Sequence, residues 1–207
     1  MVCFDLGGVL IRICRSWKEG CAAAGLPLRE QSITDPSCAN GRREIGRKYQ
    51  TGQITCDQYS NELAASTSYL YSPHEIQRIH HAWLLGEYEG VGPVIDSIHH
   101  AGVRTACLSN TNHAHWIRMD EFRAVMKLQQ RFASHELGLV KPDIAIYREF
   151  ERRTEVPAKH ILLLDDLPEN IEAARSAGWH AHQIDPHSPT DVQIAAALRA
   201  HDIHCEP

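Results

Sequence analysis

The sequence predicts an α/β protein: a parallel sheet of about five strands with helices on both faces, joined to a small all-helical unit. Three observations predict it. From residue 91 onward, short apolar runs alternate with amphipathic helical stretches, the pattern of a parallel sheet covered on both sides. Residues 15–85 carry several helical stretches and no convincing strand, so they look like an insertion. Chemistry-bearing polar residues fall just after the apolar runs, where open parallel sheets bind ligands. The expected domains are a core of 1–14 with 86–207, and an inserted helical domain of 15–85.

Val2 to Phe4 is a short apolar strand leading into Asp5 and the Gly7-Gly8 pair, where backbone can approach a ligand closely. Arg15 to Ala24 has helical spacing at Trp17, Cys21 and Ala24, and Gly25 with Pro27 ends it. Residues 29–43 are polar and contain Asp35-Pro36 and Asn40-Gly41, which predicts a loop or irregular joint. Thr55 is placed to N-cap a helix carrying Tyr59 and Leu63. Ser72-Pro73 opens another through Ile76, Ile79 and Trp83.

Val91, Val94, Ile95 and Ile98 then mark a helix closed by Gly102. Val103 to Leu108 is a strand ending in Ser109-Asn110, followed by one helix-like stretch from Trp116 to Met126. A short strand is expected around 132–134, and a loop carrying Lys141 before a helix opened by Pro142. Ile161 to Leu164 is an apolar strand ending in Asp165-Asp166. A helix from Pro168 to Ala177, a weaker strand from His180 to Ile184 and a helix from Asp191 to Leu198 complete the chain.

Composition narrows the function. With 207 residues, 43% apolar and 23% charged, the chain can build one substantial core plus a small accessory domain. A net charge of −5 gives no electrostatic case for nucleic acid or an anionic membrane as partner. No apolar run approaches a membrane span, and Asp5 interrupts anything resembling a signal segment. Seven scattered cysteines without a Cys-x-x-Cys pair fit a reducing cytoplasm. The fourteen histidines lack partners at zinc-ligand spacing. A monomer or weak homodimer is expected.

Asp5, Ser109-Asn110 and Asp165-Asp166 follow predicted strands, and Lys141 lies in a loop that reaches the same edge. Three carboxylates held together repel unless a cation neutralises them, and a hard, oxygen-ligated ion such as Mg²⁺ suits them. Lys141 and the Ser109 hydroxyl, with nearby backbone N–H groups, then suit a dianionic phosphate. A carboxylate in line with phosphorus can act as nucleophile. These residues point to metal-assisted phosphoryl chemistry on a small phosphorylated metabolite.

Phe4-Asp5-Leu-Gly-Gly-Val-Leu10, Leu108-Ser109-Asn110, Lys141-Pro142 and Leu164-Asp165-Asp166 resemble, in order and spacing, the four motifs of the haloacid dehalogenase (HAD) superfamily. Nearly the whole chain is covered by that resemblance, which implies a Rossmann-like core and a helical cap of the C1 type. More narrowly, the motifs resemble bacterial sugar-phosphate phosphatases of the α-glucose-1-phosphate type and the phosphatase domain of epoxide hydrolases. The resemblance implies Asp5 as nucleophile and metal ligand. It implies Ser109 and the Asn110 backbone as phosphate-binding groups, with Lys141 bridging nucleophile and phosphate. Asp166, Asp165 (directly or through water) and the carbonyl of Gly7 would complete a Mg²⁺ site.

One departure stands out. Most family phosphatases carry a second Asp two residues after the nucleophile as general acid and base, and here that position is Gly7. Such a group is worth about 10²–10⁴ in rate where protonation matters. The branch resembled here also tends to carry Gly, so a water or a cap residue would serve, and sugar 1-phosphates need less acid help. Two alternatives follow. One is a metal-free 2-haloacid dehalogenase using Asp5, with Arg12 or Arg15 for the substrate carboxylate. The other is a relative that binds a phosphate ligand or a protein without turnover. Trp17, Arg42, Arg43, Tyr49 and Trp83 are the cap residues expected to face the cleft.

Overall fold

The structure is a computed structural model and describes residues 1–203. It begins with β1 (Val2–Phe4), buried throughout, and turns through Gly8 into β2 (Ile11–Ile13). Next come α1 (Trp17–Ala23), α2 (Gln31–Thr34), α3 (Pro36–Gln50), α4 (Cys56–Ser66) and α5 (Pro73–His81). The chain returns along β3 (Leu84–Glu87), antiparallel to β2. Then follow α6 (Val91–His100), β4 (Thr105–Ser109), α7 (His113–Arg118), α8 (Arg123–Lys127), β5 (Gln130–Ala133) and α9 (Ser134–Leu137). Last are α10 (Ile144–Thr154), β6 (Leu162–Asp165), α11 (Pro168–Ser176), β7 (His180–Gln183) and α12 (Thr190–Ala200).

Five strands form a parallel sheet in the order β5-β4-β1-β6-β7. Strand alternation explains the unbroken apolar runs, because both faces are covered. Val2, Phe4, Cys107, Leu162 and Leu164 enter one core layer with residues of α6, α8 and α12. Cys3, Ala106, Leu108 and Leu163 enter the other, with residues of α10 and α11. A third apolar cluster lies among α1, α3, α4 and α5, around Cys21, Ile45, Leu63, Tyr71, Ile76 and Ile79. The Thr55 and Ser72 N-caps both form capping boxes, with Gln58 and Glu75. Arg29 adds a bidentate pair to Glu75, at 3.0 and 2.7 Å.

Three local expectations are corrected. Residues 29–43 contain α2 and the first half of α3 instead of a loop. Asp35 caps α3, Pro36 occupies its first turn, and Gly41 lies inside it, where a Cβ would sit 2.7 Å from Ser66 Oγ. The Asn-Gly pair therefore serves close packing of α3 on α4 instead of a turn. Second, β3 begins at Leu84, inside the stretch predicted to lack strands, and is stabilised by pairing with the still shorter β2. Third, the expected helix over 116–126 is broken into α7, a 3₁₀ turn at Met119–Glu121 and α8.

Among the described residues no helix is long and apolar enough to cross a membrane. The six cysteines there are free, and Cys205 lies outside them.

Candidate active site

The three central strands, β4, β1 and β6, end side by side, and their register decides what meets there. Phe4 is level with Cys107 on one side and Leu164 on the other, so Asp5 emerges beside Asp165. The Asp5 amide donates to Leu164 O at 2.8 Å, fixing its backbone against β6. Asp5, Asp165 and Asp166 are buried, and each offers a carboxylate oxygen within 4.8 Å of the others. Lys141, fully buried at its side chain, joins them: Nζ lies 2.6 Å from Asp165 Oδ2 and 3.1 Å from Asp5 Oδ1.

The surroundings hold this lysine in place. Asn110 grips its backbone from both sides, accepting from Lys141 N and donating to Lys141 O, each at 2.8 Å. Asn170 Nδ2 donates to both oxygens of Asp165 at 2.9 and 3.1 Å, and the Leu167 amide donates to Oδ1 at 2.9 Å. With Lys141 on Oδ2, Asp165 has few lone pairs left. It is best suited to orient Lys141. Ser109 is buried at the end of β4 and lines the cleft above, together with Gly7 and Asn110.

Electrostatics follow from this geometry. Burial raises the Asp5 carboxyl well above the carboxylate range; Lys141 pulls it down, while Asp165 and Asp166 push it up. Burial acts to lower Lys141, but Asp165 and Asp5 outweigh it and hold the ammonium protonated. Asp166 is also raised by burial and opposed by Arg15, whose Nη1 lies 2.6 Å from Asp166 Oδ2. Three carboxylates thus face two cations, and Asp5 Oδ1 is buried without a well-formed hydrogen bond. A small oxygen-seeking dication fits that donor set.

Gly8 makes the approach possible. It sits at φ +82°, and a Cβ there would lie 2.8 Å from Asp166 Cγ and collide with Arg15 Nη2. Gly8→Ala is expected to destabilise the fold by about 1–3 kcal/mol, which thermal unfolding measures. At Gly7 a Cβ would meet Ile13 Cδ1 at 2.9 Å, so an apolar side chain crowds the position where the acid is missing.

All five cap candidates, Trp17, Arg42, Arg43, Tyr49 and Trp83, line one cleft of about 690 Å³ above Ser109 and Asn110. Sequence reasoning missed a second feature of that cleft. His80 of α5 stacks on His115 of α7, with ring centroids 3.8 Å apart and planes 10° from parallel. His115 Nε2 lies 2.7 Å from His80 O, and Asn112 Nδ2 lies 3.1 Å from His80 Nε2 and 3.5 Å from His115 Nδ1. Donor and acceptor roles agree only if both imidazoles are neutral. Arg118 also donates to His81 O, so α7 satisfies two terminal carbonyls of α5.

Burial lowers both histidines, His115 to about 4, with His81 and Arg118 adding positive charge nearby. The unfolded chain takes up protons that the folded chain refuses, so acid favours unfolding between about pH 6.5 and 4. From pH 7 to 5 His115 alone is expected to remove about 2 kcal/mol of stability. His115→Gln should flatten that slope in denaturant melts.

A family model of haloacid dehalogenase-like hydrolases matches residues 1–178. The chain belongs to this family and is a hydrolase of that class. Its fold is similar to a HAD family enzyme from Bacteroides thetaiotaomicron, with TM-score 0.75 and 20% identity over 90% of this chain and 94% of that one. A HAD-like hydrolase from Porphyromonas gingivalis gives TM-score 0.74 and 22% identity over 96% and 97%. Enolase-phosphatase E1 of Erwinia tasmaniensis is 39% identical over 44 residues, 21% of this chain and 19% of that protein. The chain thus matches about a fifth of the length of that curated relative.

Proposed function

We propose that the chain is a Mg²⁺-dependent phosphatase that hydrolyses small phosphomonoesters, sugar phosphates foremost, through an aspartyl-phosphate on Asp5. The carrying observation is the buried Lys141 bridge between Asp5 and Asp165, with Asp166 in reach. Lys141 keeps a positive charge beside the nucleophile, where it stabilises the transferring phosphoryl group. An Asp5 oxygen attacks phosphorus, the bond to the ester oxygen breaks, and the departing alkoxide takes a proton from water. Ser109 and the Asn110 backbone hold the phosphoryl oxygens. Water then attacks the aspartyl-phosphate, releasing inorganic phosphate and restoring Asp5.

Asp5, Asp166 and the Gly7 carbonyl would hold Mg²⁺, with Asp165 acting through water because Lys141, Asn170 and Leu167 engage its oxygens. Bound there, the ion supplies charge neutralisation for the phosphate and the carboxylate cluster. A complex of the Bacteroides enzyme with magnesium and inorganic phosphate supports this reading by likeness of fold. The helices α1 to α5 would act as the cap that closes over substrate.

The dehalogenase alternative is weakened at its arginines. Arg15 is engaged by Asp166, and Arg12 lies in a separate cleft with Glu87 and Tyr88. A panel of phosphorylated metabolites and p-nitrophenyl phosphate, with Mg²⁺ and with EDTA, tests the proposal. Hydrolysis that depends on Mg²⁺ is the expected result. Silence on every ester, or chloride release from 2-chloropropionate in EDTA, would overturn it.

A further inference from the structure

We propose that the substrate carries a second anionic group, a carboxylate or second phosphate, on its leaving-group side, and that Arg42 binds it. The inference rests on the phosphatase reading above and names the substrate class for that site. It begins with one face of α3, where Ala39, Arg42, Gly46 and Tyr49 recur at helical spacing and line the cleft. The two small residues leave room; a Cβ on Gly46 would meet nothing within 4 Å.

Arg42 is half-buried, yet among the described residues it forms no ion pair. Its titratable neighbours are Cys38, Tyr59, Cys21 and Tyr71, none of them a carboxylate. The guanidinium is nonetheless held, lying over the Trp17 ring at 5.2 Å with Nη1 donating to Ser32 O at 2.6 Å. A fixed, partly desolvated guanidinium without a counter-ion is an anion receptor in waiting. Among the described residues Trp17 Nε1, on a residue that lines the same cleft, is buried without a hydrogen-bond partner.

Among the described residues no Asp or Glu lines this cleft, so a second negative charge would meet no like charge from them there. The transferring phosphate is already served by Lys141 and the strand ends. Of the other two arginines that line the cleft, Arg15 is committed to Asp166 and Arg43 is exposed. Arg42 is therefore free to read the rest of the molecule, and its planar fork suits a carboxylate or phosphate in bidentate fashion. The aromatic walls around it would cover the carbon skeleton of the leaving group.

The test compares kcat/KM with Mg²⁺ for glucose 6-phosphate, 6-phosphogluconate, fructose 1,6-bisphosphate and p-nitrophenyl phosphate, in the wild type, Arg42→Ala and Arg42→Lys. The wild type should prefer one of the two esters that carry a second anionic group over glucose 6-phosphate by about tenfold or more. Which of the two wins separates carboxylate from phosphate as the second group. Arg42→Ala should erase that preference, a loss of about tenfold, with Arg42→Lys between the two. Equal losses on all four esters would show that Arg42 holds the transferring phosphoryl group, and would overturn the proposal. So would a wild-type preference for glucose 6-phosphate, whose sugar carries no second anionic group, a result that stands even if Arg42→Ala fails to fold. If no ester is turned over, the phosphatase reading fails by itself. Calorimetric binding of the same esters to the wild type and Arg42→Lys then decides whether Arg42 selects those that carry a second anionic group.

Discussion

Replacing Asp5 by Asn is expected to lower ester hydrolysis by about 10⁴-fold or more, the scale seen when a nucleophile is removed, while the protein stays folded. Asn is nearly isosteric with Asp, and the Asp5 amide to Leu164 O bond is a backbone bond that survives the change. The carboxamide cannot form the acyl-phosphate, so the loss should fall on kcat. Binding of product phosphate should persist, because Ser109, Asn110 and Lys141 remain. Stability is expected to hold or rise slightly. In the wild type the Asp5 carboxylate is held in a buried site that disfavours its charge, and Asn removes that burden. Steady-state kinetics with circular-dichroism melts checks both halves. A folded Asp5→Asn protein with unchanged turnover would remove Asp5 from the mechanism.

Lys141→Met is expected to produce the largest loss of stability in the core, about 3–5 kcal/mol. Lys141 and Asp165 are both wholly buried at their side chains, and Asp5 nearly so. Removing the ammonium leaves two carboxylates facing each other without a cation, which costs more than the pair itself contributes. Activity should fall too, by about 10²–10³-fold, since the positive charge beside the transferring group is lost. The double variant Lys141→Met with Asp165→Asn separates the two effects. It should recover part of the stability, because one buried charge leaves with the other, and none of the activity. Equal destabilisation by the single and double variants would show that Lys141 acts through packing of its stem instead.

Much of this arrangement is written locally in the chain, and the reasons are physical. Asp5, Ser109 and Asp165-Asp166 are legible because each ends an apolar run, and parallel strands place such ends at one edge. Lys141 is legible as a loop lysine within reach of that edge, while its bridging role came only with the family resemblance. What could not be read depends on partners far apart in sequence. Arg15 meets Asp166 across 151 positions. The His80–His115 stack joins two helices 35 residues apart, and neither residue has a local signal. Elsewhere a local signal pointed the wrong way. Asn40-Gly41 has turn chemistry, yet the packing of α3 on α4 claims the glycine for a helix. The three-residue β2 and four-residue β3 are too short for periodicity to show, and only their pairing defines them.

The substrate side of the site is set by groups that look idle. Among the described residues Arg42 lacks a counter-ion and Trp17 Nε1 lacks a hydrogen-bond partner. Around the proposed phosphoryl-transfer centre Asp165, Lys141 and Asn110 are bonded to one another. A preorganised centre beside a cleft with an unpaired guanidinium is the division expected of an enzyme whose chemistry is built in and whose specificity is completed by the ligand.

The central claim is the covalent step on Asp5. Its most direct test is to quench the enzyme in acid during Mg²⁺-supported turnover, reduce with borohydride and map the peptides by mass spectrometry. An acyl-phosphate on Asp5 is reduced to homoserine at position 5, and the account predicts that product in the peptide containing Phe4 and Leu6. Turnover with an unmodified Asp5 peptide, or with the label on another residue, would contradict it.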